Sequence, residues 1–129
     1  MKHVCLWFVF LSATLASAAT LHVKFQNGYG KETACAVDQN YNAEFRQLMN
    51  SVEPDRTNKR SALTLFEFFS DGTKGTCYKP RSSGDLSIGL PHGHNYVFFL
   101  TMTPDGGKVY FKVANYAGDI EQAEVITAP

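Results

Sequence analysis

The first nineteen residues limit what the rest of the chain can become. Met1-Lys2-His3 is a short basic start, Val4 to Leu11 is an unbroken apolar run, and Ser12 to Ala19 turns small. Ala16-Ser17-Ala18 fits a small-x-small cleavage rule, which completes the three-part layout of a secretory signal peptide. The apolar run is too short to be a membrane anchor, since a spanning helix needs about 20 apolar residues, and no later stretch is long enough. The expected organisation is a signal peptide over 1–19 and one secreted domain over 20–129, with cleavage after Ala18 or Ala19.

Export then settles the chemistry of the thiols. Cys5 leaves with the leader, so the mature chain carries Cys35 and Cys77. In an oxidising compartment two cysteines read as one disulfide. A bond between residues 35 and 77 contributes roughly 4 kcal/mol in the chain-entropy picture. Two cysteines are too few for a structural zinc site. There is no Asn-x-Ser/Thr acceptor for N-glycosylation. Once Lys2 is removed, 11 of the 12 basic groups face 12 acidic ones. That balance argues against a protein whose main task is to neutralise phosphates.

Periodicity suggests an α+β domain: one early helix packed on a mostly antiparallel sheet. Leu21, Val23 and Phe25 alternate with His22, Lys24 and Gln26, as in a half-buried strand. Asn27 to Gly30 is a turn, and Thr33 to Val37 is a short strand carrying Cys35. Tyr41, Phe45, Leu48, Met49 and Val52 form one helical stripe, capped by Asp38 or Asn40 and ended at Glu53-Pro54. Pro54 to Arg60 is a polar loop. Ser61 to Phe69 is apolar on both faces and is expected to be a central strand. Short strands follow around Thr76–Tyr78 and Leu86–Leu90. Tyr96 to Met102 and Lys108 to Ala114 are joined by a hairpin at Thr103–Gly107. A weaker strand over Ile120–Thr127 ends the chain.

Three kinds of chemistry are suggested by side chains in this frame. Glu67, placed by the strand reading between Phe66 and Phe68, would be a desolvated carboxylate suited to general acid–base work. His92 and His94 share a Pro/Gly-flanked turn. With Asp85 they suggest a metal pair, but a catalytic zinc site needs three protein ligands, so no metal or other cofactor is expected. Cleavage after Ala19 would make His22 the third residue, and an amine, two amides and that imidazole form a nitrogen set suited to Cu(II). Arg56, Lys59, Arg60, Lys74, Lys79 and Arg81 crowd residues 56–81. Within this segment Lys74, Tyr78, Lys79 and Arg81 are the candidate binding residues. Lys59-Arg60 is also a dibasic pair that a processing protease could cut.

Leu65-Phe66-Glu67-Phe68-Phe69 and Pro91-His92-Gly93-His94-Asn95-Tyr96-Val97-Phe98 carry a resemblance. They are similar to the two stretches that hold the catalytic glutamate and arginine in the small fungal guanyl-specific ribonucleases. With the leader, the size and the single early helix, the chain resembles the ribonuclease-like secreted effectors of plant-associated fungi. That resemblance implies a virulence protein acting outside the cell or inside a host cell. The arginine position reads Asn95 or Tyr96, however, and the last histidine position falls in Val113-Ala114-Asn115. One carboxylate without a cation and a second acid cannot run phosphoryl transfer. The leading expectation is therefore a secreted, non-enzymatic interaction protein with a protein partner. The alternative is a small ribonuclease or RNA binder using Glu67, His92, His94 and the basic segment. The oligomeric state is not legible.

Overall fold

The computed structural model describes residues 19–128. Of the signal peptide expected over 1–19, residues 1–18 lie outside the described residues. Seven strands form two sheets, with two short helices on the outer face of one of them. The strands are β1 (Thr20–Gln26), β2 (Lys31–Val37), β3 (Gly75–Tyr78), β4 (Asp85–Gly89), β5 (His94–Met102), β6 (Val109–Ala117) and β7 (Gln122–Thr127). The helices are α1 (Asn42–Asn50), preceded by a 3-10 turn over Gln39–Tyr41, and α2 (Lys59–Glu67). One sheet has the order β4-β1-β7 and the other β3-β2-β5-β6. β1 pairs antiparallel with β4 but parallel with β7.

This corrects the expected single sheet with one early helix. The fold is mostly β, layered as sheet, sheet and helices. The decisive difference is Ser61–Phe69, which is helix through Glu67 and turn beyond it rather than strand. Ser61, Ala62, Leu65, Phe68 and Phe69 are buried, and that spacing is helical. Leu63 and Phe66 are partly exposed on the other side, which makes the segment look apolar on both faces. Asn58 caps α2, its Oδ1 accepting from the Ser61 N–H at 2.9 Å.

β5 is covered on both faces, as is its neighbour β2, whose Cys35 and Val37 enter one core and Ala34 the other. Phe98 and Leu100 face the helices, in a core with Cys35, Val37, Phe45, Leu65, Phe68, Phe69 and Phe111. Val97 and Phe99 face the other sheet, in a second core with Leu21, Val23, Phe25, Ile88, Tyr116 and Ile126. The disulfide joins Cys35 to Cys77. These residues lie opposite each other in the β2–β3 pair, so the bond ties the edge strand β3 to the sheet. Asp38 Oδ1 accepts from the Asn40 N–H at 2.9 Å, so it caps the 3-10 turn rather than α1 itself. At Gly118 a side chain would collide with the Pro91 carbonyl, so glycine is needed where the end of β6 packs on the β4–β5 turn.

Candidate functional site

Each catalytic candidate sits on a separate element. Glu67 ends α2 and is exposed. It borders a groove with Lys59, Arg60, Leu63 and Thr64, not a desolvated strand. The burial expected to make it an acid–base group is therefore missing. His92, in the β4–β5 turn, is exposed and pairs through Nδ1 with Asp119 Oδ1 at 2.8 Å. His94 opens β5; its carbonyl accepts from Asn42 Nδ2 at 3.0 Å and from Gln39 Nε2 at 3.3 Å.

The two positions that read in place of an arginine have structural partners. Asn95 is buried, and its Nδ2 lies within 3.3 Å of the carbonyls of Pro91, Gly93 and Tyr116. Tyr96 packs on Phe45, with ring centroids 6.0 Å apart. Among the described residues no group of three His, Cys, Asp or Glu is placed to hold a metal ion. The copper reading of His22 meets an obstacle of its own. Leu21 and His22 lie in β1, which is paired on both sides, and His22 Nε2 bonds Glu121 Oε1 at 3.0 Å. Chelation through the two amides would require the start of β1 to leave its ladders.

The basic segment does not fold into one patch. Arg56 lies against β6, its guanidinium donating to the Tyr110 hydroxyl at 3.1 Å. Lys59 and Arg60 open α2, so the dibasic pair is held in a helical turn instead of an extended loop. Lys74 pairs with Glu44 at 2.8 Å and sits 5.2 Å from the Phe68 ring centroid. The Glu44 carboxylate, the largest influence, holds the Lys74 ammonium above its ordinary range. Tyr78 packs against the core between the sheets.

Lys79 and Arg81 do come together, in a place that sequence alone did not mark out. The helices leave one end of the β3-β2-β5-β6 sheet uncovered. There a groove of about 650 Å³ opens between the start of β2, the loop after β3, and α2. Phe66, Leu100 and Met102 supply its apolar side, and Lys31, Lys79 and Arg81 supply the charge. Lys31 lies opposite Met102, and Thr33 opposite Leu100, in the β2–β5 register. Pairing with β3 stops at Ala34, which leaves residues 31–33 as the groove wall. Glu32, the acid in the lining, is engaged locally, its Oε2 accepting from the Gly30 N–H at 2.8 Å.

No protein-family model and no curated protein matches the chain. Among solved structures it is similar to a crystal structure from Pseudomonas aeruginosa described as a "putative carbohydrate binding protein". The TM-score is 0.45 and the identity 14%, over 88% of this chain and 90% of that one. At that TM-score the likeness does not establish a shared fold, and the description belongs to that protein alone.

Phe66 and Met102 were expected only as strand residues, and nothing in the sequence singled out Lys31. The one available signal was Phe66 itself, a large aromatic off the buried stripe once the helical period of 61–69 is recognised. A second polar cluster also escaped notice. Glu124 of β7 accepts from the Tyr116 hydroxyl at 2.6 Å and from Lys112 Nζ at 2.9 Å, both on β6. It fastens the edge of one sheet to the edge of the other. Burial and the Glu124 carboxylate push the Tyr116 phenol far above its ordinary range.

Proposed function

We propose that this is a secreted, non-enzymatic interaction protein that holds a protein partner in the groove bordered by Lys31, Phe66, Lys79 and Arg81. The observation that carries the reading is convergence. Three cations and an exposed aromatic ring meet at one groove, while Glu67, His92 and His94 are distributed over a helix end, a turn and a strand start. Acid–base catalysis needs its groups within hydrogen-bond reach of one substrate proton or leaving atom. A binding site needs an apolar anchor with a charged rim. Secretion is supported by the sequence layout and the disulfide. Among the described residues no helix is long and apolar enough to cross a membrane.

The test is site-directed photo-cross-linking of the secreted protein in host extract. A photoreactive side chain at Phe66 should capture a discrete partner, whereas one at Ile120, which is exposed on the β6–β7 connection, should not. Labelled RNA should show no turnover above a boiled control. Robust turnover abolished by both Glu67→Gln and His92→Ala would replace this reading with the ribonuclease.

A further inference from the structure

We infer that the groove recognises a short acidic peptide segment carrying a large apolar side chain. The inference rests on the binding reading above and specifies its ligand. Charge supplies the first argument. Lys24, Lys74 and Lys112 each have a carboxylate partner within 4.0 Å. Lys31, Lys79 and Arg81 form no ion pair among the described residues, and all three are exposed. Three cations against one lining carboxylate, Glu32, with Arg81 also acting on Asp85, leave the groove with a net positive charge that favours an anionic occupant.

Shape and polarity supply the second argument. Phe66 is 37% exposed and stacks on Phe98 behind it, with centroids 6.3 Å apart. Its outer face is thus a rigid apolar surface beside Leu100 and Met102. A thioether next to an aromatic edge adapts to varied apolar side chains. An occupant that satisfies both halves of the groove alternates carboxylates with a leucine or phenylalanine.

A long polyanion fits less well. Beyond the groove the charge is mixed: Glu67, next to Phe66 on α2, shares one groove with Lys59 and Arg60 and another with Glu44, Asp71 and Lys74. A nucleic acid gains affinity by neutralising many phosphates in a row, and here carboxylates interrupt the cations: Glu32 inside the groove, and Glu67 beside Lys59 and Arg60. A short segment of a partner protein places its charge only where the cations are.

The experiment is an amide NMR titration of the secreted, disulfide-bonded protein. Three probes are compared: a blocked hexapeptide with two acidic residues on each side of Leu-Phe, its lysine-substituted counterpart, and a hexamer of single-stranded uridylate. The acidic peptide should shift the signals of Lys31, Phe66, Lys79, Arg81 and Ser82. The K79E/R81E double variant should weaken its binding about tenfold or more. Phe66→Ala should weaken it too, while Arg46→Glu, on the far helix α1, should leave it unchanged. Raising the salt should weaken binding. Tighter binding of the uridylate, or shifts equal for both peptides, would overturn the inference. If none of the three probes shifts the groove but Phe66 still cross-links a partner, the acidic-peptide inference fails and the binding reading stands. If cross-links form only elsewhere, both fall.

Discussion

Phe45→Ala tests the helix-to-sheet half of the fold. Phe45 is the buried residue of α1 and is fully shielded from solvent. Its ring centroid lies 5.0 Å from that of Phe68, 5.8 Å from Phe69 and 6.0 Å from Tyr96. Truncating a buried phenylalanine to alanine costs about 3–5 kcal/mol through lost transfer energy and the cavity left behind. Losing an edge-to-face partner adds about 0.5–1.5 kcal/mol per pair beyond area burial. The gain in helix propensity from alanine is under about 0.7 kcal/mol and does not offset this. The upper half of the range is therefore expected, near 4–5 kcal/mol. For a domain of this size that lowers the melting temperature by roughly 15–20 °C. Urea unfolding followed by near-ultraviolet circular dichroism, with the disulfide intact, reads both midpoint and slope. Arg46→Ala, one residue on and exposed, should stay within about 0.5 kcal/mol of the parent. Equal losses for the two variants would refute the face assignment of α1.

Three further outcomes are expected. Replacing Cys35 and Cys77 together by alanine should lower stability by about 2–4 kcal/mol, and mass spectrometry without reductant should find these two cysteines linked; alkylatable thiols in secreted material would contradict this. Asn58→Ala removes the cap on the Ser61 N–H and should cost about 1 kcal/mol in thermal unfolding; no loss would mean α2 does not depend on that bond. For Glu124, burial pushes the carboxyl up, but the Tyr116 hydroxyl and the Lys112 ammonium outweigh it, and the net displacement is down from 4.5. A depressed folded value means its stabilisation is present above the unfolded value and is lost as pH falls through the folded one. The stability gap between the parent and Glu124→Gln should therefore be widest above pH 4.5 and shrink on acidification, and a gap independent of pH would contradict the clasp.

The strands were largely legible because each has a clear reason for its period. In β1, three large apolar residues enter the inter-sheet core at every second position. In β6, Val109 and Phe111 enter the helix-side core in the same way. The disulfide was legible for a different reason: the expected removal of Cys5 with a leader would leave two cysteines and a single intramolecular pairing. Two things were not legible. The split into two sheets depends on β1 finding β7, the first and last described strands, in a parallel pair, and local alternation carries no information about such distant partners. The identity of 61–69 was hidden by Leu63 and Phe66. Both are apolar, and neither belongs to the buried stripe.

That same misreading explains why the site was only half visible. Read as a strand, 61–69 spends its aromatics on core packing and leaves Glu67 as the residue that needs explaining. Read as a helix, Glu67 becomes an ordinary exposed end residue, and Phe66 becomes the one that needs explaining. A phenylalanine more than a third exposed loses part of its favourable transfer energy unless something covers it. Lys79 and Arg81, singled out for their charge, belong beside it, but what assembles the groove is the long-range β2–β5 register that sets Lys31 across from Met102. Linear clustering of basic residues found two of the three cations and mixed them with Lys74, whose charge is already committed to Glu44. Pairing state, which only the fold reveals, separates Lys74 from Lys79 and Arg81, which form no ion pair among the described residues.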